Sequence, residues 1–221
     1  MSALVWDATG SRIYETGVDH GVLYPVQNDG TFDNGVAWNG LSSVSQSPSG
    51  AEASPIWADN IKYLNLISAE EYAATVEAYT YPDEFAVCDG SASVATGVYA
   101  GQQTRKPFGL VAKTLVGNDT MLNKFGYKLH LVYGALASPS EQSHATVNDS
   151  PEAATLSWEF STTPVEMAGC EPTSYICIDS TKVNAEKLAA LEAIVYGSEE
   201  AEPRLPLPTE VAELLKEDTA G

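Results

Sequence analysis

The sequence predicts a mainly β protein: two packed β-sheets, a sandwich or partly open barrel, with one flanking α-helix. Three observations lead there. Apolar residues recur with period two along several segments, turn-forming pairs separate those segments, and one stretch near the C-terminus follows a helical period instead. At 221 residues the chain can bury a sizeable core and fits one decorated domain better than two full ones.

The early strands are short and punctuated. Residues 22–26, 36–44 and 61–67 read as strands, and Asp29-Gly30, Asn34-Gly35 and Asp89-Gly90 supply turn chemistry. Residues 68–80 read two ways. Ser68 with Glu71 resembles a capping box and Tyr72, Val76 and Tyr79 share a helical face, yet Ala74, Val76 and Ala78 also alternate with Thr75, Glu77 and Tyr79. A strand from about Ala74 is favoured, because β-branched residues and Tyr suit it and Pro82 stops it. Asp83-Glu84 then opens a short helical turn.

The later elements are clearer. Residues 108–116 are apolar on both faces, as in a strand covered on each side. Tyr127, Leu129, Leu131 and Tyr133 alternate with Lys128, His130 and Val132, which turns His130 toward solvent or an interface. Ala154, Leu156, Trp158 and Phe160 alternate with polar neighbours, and 175–178 is a short apolar strand. Over 185–196, Leu188, Leu191, Ile194 and Val195 form one stripe, with Gly197 as the cap residue; a weaker helix spans 208–216. Leu156, Trp158, Phe160, Leu188 and Leu191 are the expected core.

Two stretches break the pattern. Residues 42–55 and 137–151 are small, polar and Pro-punctuated, long for loops in a compact domain, and read as segments that order on assembly. The domain is expected to end near residue 198, leaving 199–221 as an acidic C-terminal extension.

Charge narrows the function. Thirty acids against eleven bases give −19, spread along the chain: 13 acids and two bases fall in the first 100 residues. Such a surface repels phosphates, which argues against nucleic-acid binding. No apolar run approaches the roughly 20 residues that cross a bilayer, and the N-terminus lacks a basic segment followed by an apolar one, which points to synthesis in a cytoplasm without membrane partners. Cys88, Cys170 and Cys177 are an odd set without a Cys-x-x-Cys pair and read as buried, reduced thiols.

Chemistry is hard to assemble. His20, His130 and His144 do not share ligand spacing, no nucleophile elbow or phosphate loop occurs, and residues 28–35 lack the Glu of a calcium loop. The expectation is no catalysis, metal or cofactor. Arg105-Lys106 is the one strong basic pair. It reads as chance, as an intersubunit charge contact, or as a patch facing an acidic neighbour, with the second favoured because complementary patches fix register.

Several segments carry a resemblance. Gly21-Val22-Leu23-Tyr24-Pro25-Val26, Gly35-Val36-Ala37-Trp38-Asn39-Gly40, the stretch Glu77 to Phe85, the strand Tyr127 to Gly134, Phe160 to Val165, and the closing helix are similar to the major tail proteins of siphovirus-type bacteriophages. The match runs from about residue 12 to 198. It implies a structural virion protein: homohexameric rings of β-sandwich subunits that stack into a hollow tail tube and conduit for DNA ejection. The implied partners are its own copies, a tape measure protein, and tail terminator and tail-tip proteins, with genomic DNA passing through unbound. In that setting residues 42–55 become the ring-stacking loop, the tip of a hairpin between flanking strands; its candidate residues are Ser42, Val44, Gln46, Pro48, Ala53, Pro55, Ile56 and Trp57. The alternatives are a carbohydrate-binding or adhesin module, with Trp38, Trp57 and Trp158 stacking on sugars, and an acidic DNA-mimic inhibitor.

Overall fold

The computed structural model describes residues 3–146, 149 and 153–216. The strands are β1 (Ile13–Pro25), β2 (Val36–Trp38), β3 (Leu41–Gln46), β4 (Ser49–Gly50), β5 (Ala53–Ala58), β6 (Ile61–Ile67), β7 (Glu70–Glu71), β8 (Ala73–Ala78), β9 (Ala92–Ala95), β10 (Val98–Ala100), β11 (Phe108–Asn118), β12 (Leu122–Ala137), β13 (Leu156–Thr162) and β14 (Tyr175–Asp179). The helices are α1 (Ala185–Tyr196) and α2 (Pro208–Leu215), with a short 3-10 turn at Asp83–Val87. The mainly β expectation holds.

One eight-stranded antiparallel sheet dominates, in the order β2-β1-β11-β12-β13-β8-β3, with β14 also on β12. The two sheets expected are the halves of this single sheet, and β12 belongs to both. Its Lys128–Val132 stretch pairs with β14, whereas Ala135–Ala137 pairs with β13. Between them stands Gly134 at φ 59°, where a Cβ would overlap the Thr163 carbonyl oxygen. Only glycine fits this bend, which folds one half over the other. β3 comes round to lie near β1 without pairing to it, so the barrel stays open.

The interior is aromatic. Phe85, delivered by the 3-10 turn, packs at 4.6 Å from Trp38, 5.2 Å from Trp158 and 5.5 Å from Phe108, and Phe160 closes on Phe108. Leu23, Val76, Leu110 and Val132 complete this cluster, and Leu156 packs half-buried against it. Burying Trp38 and Trp158 overturns their proposed use as sugar-stacking platforms.

The outer face of β1, β11 and β12 is covered by the helices. Val22, Tyr24, Val111, Leu129, Leu131 and Tyr133 meet Leu188, Leu191 and Val195 of α1. Residues 108–112 are buried on both sides, as expected, whereas Lys113, Thr114 and Leu115 are half-buried. Asn184 caps α1, its side chain accepting from the Glu186 and Lys187 amides at 2.9 and 3.2 Å.

Three expectations are corrected here. The segment after residue 198 is no extension as far as Lys216: Leu205 and Val211 are buried in the helix-side core, and the Tyr133 hydroxyl donates to the Pro206 carbonyl at 2.9 Å. Its proline-punctuated acidic sequence hides two apolar anchors. Residues 42–55 are largely strand, in β3, β4 and β5, because they continue pairing beyond the sheet. Cys88 is buried, but Cys170 and Cys177 are exposed. Residues 138–146 lack regular structure, and 147, 148, 150 and 151 of the second polar stretch lie outside the described residues.

Trp158→Ala removes the centre of the aromatic cluster. It is expected to cost about 3–5 kcal/mol and lower the melting temperature by roughly 6–20 °C in a calorimetric scan. Unchanged melting would contradict this packing.

Candidate functional site

β5 and β6 pair only with each other, and β4 with β7 continues the ladder toward the body. Together they form an arm projecting from the end of the sheet. The tip is Asp59-Asn60, both at positive φ (49° and 60°), a two-residue connection in the left-handed geometry that matches strand twist. The sequence places the tip within residues 42–55; the signal it passes over is this Asp-Asn pair, which tolerates left-handed backbone. Pro55 is tolerated because an isolated hairpin has two free edges.

The arm is apolar on both faces. Cross-strand partners share a face, so Ile56, Leu64 and Leu66 lie on one side with Ile61, which pairs with Ala58, and Ile67 lies on the other. Trp57, opposite Lys62, joins Ile67 on the second side, because the residue skipped in the register is Tyr63 of β6 and β5 alternates without a break. Trp57 and Tyr63 are each 66% exposed and Ile67 is 69% exposed. A two-stranded hairpin is marginal in water by itself, and contiguous exposed apolar surface of this kind marks an interaction site.

The expected stacking residues divide between arm and body. Ser42 and Val44 belong to β3, with Val44 half-buried against the interior, and Gln46 and Pro48 stand at the root. Ala53, Pro55, Ile56 and Trp57 are on the arm itself. Arg105 is engaged within the chain: its guanidinium donates to the Asp89 carbonyl at 2.9 Å and lies 3.8 Å from the Asp89 carboxylate. Lys106 lines a cleft with Asp29, Asp33 and Glu84. Burial raises the Asp89 carboxyl above its ordinary value, with Arg105 opposing.

A polar cluster sits beneath the root of the arm. Lys128 and the Thr114 hydroxyl both donate to Glu15 of β1. Burial alone would raise the Glu15 carboxyl, but these two hydrogen bonds hold it below its ordinary value. His130 is not turned to solvent as expected. It is 9% exposed, because β3 comes over the strand face that carries it and Tyr175 of the adjacent β14 flanks it, with Nε2 at 2.7 Å from Thr114 Oγ1 and Nδ1 at 2.7 Å from the Tyr175 hydroxyl. Burial lowers the His130 pKa, Glu15 opposes and Lys128 adds to the lowering. Among the described residues, no three His, Cys, Asp or Glu side chains gather to hold a metal, and no helix is long and apolar enough to cross a membrane.

No known family model and no curated protein matches the chain. Among solved structures, it is similar to a chain of the six-fold symmetrised cryo-EM structure of the anti-feeding prophage (AFP) baseplate, at 12% identity over 75% of this chain and 95% of that one, with a TM-score of 0.38.

The three thiols differ in chemistry. Burial pushes Cys88 up to about 12, while Cys170 and Cys177 are open to solvent. At pH 8 a thiol reagent is expected to modify two cysteines per native chain and the third only on unfolding. Fast reaction of all three would contradict the burial of Cys88.

Proposed function

We propose that the chain is a structural subunit of a phage tail, a tail tube protein that assembles with copies of itself through the projecting arm. The observation that carries this reading is the arm's pair of uncovered apolar faces. Burying a large apolar side chain contributes about 1.5–3 kcal/mol, and the arm presents several with no cover among the described residues. A surface contributed by one copy and received elsewhere on the next is heterologous, and heterologous contacts close into rings or extend as filaments. The resemblance of the sequence to siphovirus-type major tail proteins supplies the particular form: six-fold rings stacked into a tube, enclosing a tape measure protein and bounded by terminator and tip proteins. The chain acts as scaffold and conduit, without catalysis.

The charge fits a passive channel. A carboxylate-rich lumen denies DNA the cations that would hold its phosphates, so the genome slides. The same −19 charge makes copies repel one another, a cost that added salt screens. Of the three tryptophans that a sugar-binding module would use, only Trp57 is exposed.

Concentrated protein, alone or seeded with a tail-tip complex, is expected to form rings or tubes with a central hole in electron micrographs, more readily at 0.15 M salt than at low ionic strength. A compact monomer under every condition, with initiator, tape measure and chaperones present, would overturn the reading. Replacing Trp57 and Tyr63 together by Asp is expected to leave melting within about 1 kcal/mol of the parent, as for exposed positions, while abolishing tubes. Normal tubes from that variant would remove the arm from the interface.

A further inference from the structure

Tyr175 of β14 touches both chain segments that carry the arm. Its hydroxyl accepts a hydrogen bond from Gln46 Nε2 at 2.9 Å, and Gln46 is the last residue of β3. Its ring stacks on Tyr72 at 4.8 Å and 9°, and Tyr72 joins β7 to β8. The same hydroxyl lies 2.7 Å from His130 Nδ1. A hydrogen-bonded chain therefore runs from the root of the arm through Tyr175, His130 and Thr114 to Glu15, crossing five strands of the open barrel.

The hydrogens along this chain can be assigned one by one. Thr114 has a single hydroxyl hydrogen, and Glu15 Oε1 takes it at 2.6 Å. Thr114 can then only accept from His130, so Nε2 carries the imidazole hydrogen. Nδ1 is left as an acceptor, which the Tyr175 hydroxyl satisfies while its oxygen receives Gln46. Every donor meets an acceptor, and only with His130 neutral and protonated on Nε2.

We infer that His130 is a pH-sensitive catch on the arm: neutral, it fixes Tyr175 where it anchors both roots, and protonated, it lets them go. A second imidazole hydrogen on Nδ1 would face the phenol hydrogen, so the phenol must turn away and the bond must reverse. The groups facing His130 are Glu15 from β1, Thr114 from β11, Lys128 on its own strand, Tyr175 and Cys177 from β14, and the neutral Val44 and Gln46 from β3. Burial and Lys128 oppose the charge; Glu15, 3.5 Å from Nε2, favours it but is already held by Lys128. With the folded pKa below the ordinary value of about 6.5, the contribution of neutral His130 is present above that pH and is lost as pH falls below it. The inference rests on reading the arm as the assembling surface and gives that surface a regulator.

The test uses dispersed monomer, so it stands whether or not tubes form. Nitrogen NMR of His130 is expected to show the Nε2–H form at pH 7.5. Amides at the root, residues 46–50 and 70–73, are expected to lose protection at least tenfold as His130 titrates, after correction for intrinsic exchange, while β11 amides hold. Tyr175→Phe should leave the root unprotected at both pH 7.5 and pH 5. His130→Gln, whose amide can donate to Thr114 and accept from Tyr175, should keep it protected at both. An Nδ1–H form at pH 7.5, or root protection indifferent to the His130 titration, would overturn the proposal.

Discussion

The structure depends on β12 changing partners at Gly134. A flat sheet of these strands would leave one apolar face open to water. By pairing first with β14 and then with β13, β12 folds the sheet on itself and encloses the aromatic cluster around Phe85. The face left outside is then apolar as well, which is why α1 and α2 must cover it. Both cores follow from one bend. The fold also leaves a gap, since β3 approaches β1 without pairing, and the Glu15 to Tyr175 chain of polar groups fills it. An unfilled gap there would strand buried donors and acceptors at about 1–3 kcal/mol each.

The arm is the opposite case, a part of the chain that folding does not satisfy. Its strands carry apolar residues on both sides, yet nothing among the described residues covers either side. Natural proteins blunt such free edges unless they use them. Here Pro55 and Lys62 are the only guards visible on the arm proper, and neither removes its apolar surface. The proposed assembly therefore sets a strongly acidic body, which keeps copies apart, against an apolar arm, which brings them together.

Much of the body was legible in the sequence. The period-two alternation of Tyr127 to Tyr133 and Leu156 to Phe160, the two-sided run from Phe108, and the α1 stripe each reflect a covered face, and burial writes itself into periodicity. The arm was half legible. Residues 42–55 stood out as peculiar, but Ser, Pro and Gly were read as loop when they belong to strands that need no core. Leu205 was hidden because one anchor among prolines and acids has no period, and the helix read over 208–216 does not by itself reveal that Val211 docks on the sheet. His130 was misread because its strand neighbours Lys128 and Val132 do not reveal that β3 comes over that face and that Tyr175 flanks it. Tyr175 shows no local signal at all, since its partners Gln46, Tyr72 and His130 come from three distant segments.

The central claim is that both faces of the arm are buried between copies. A photo-crosslinking amino acid placed at Trp57 samples one face, and at Leu64 the other. The account predicts chain-to-chain products from both positions under assembling conditions, lost when the protein is diluted to monomer. Products from neither position in assembled material would contradict it.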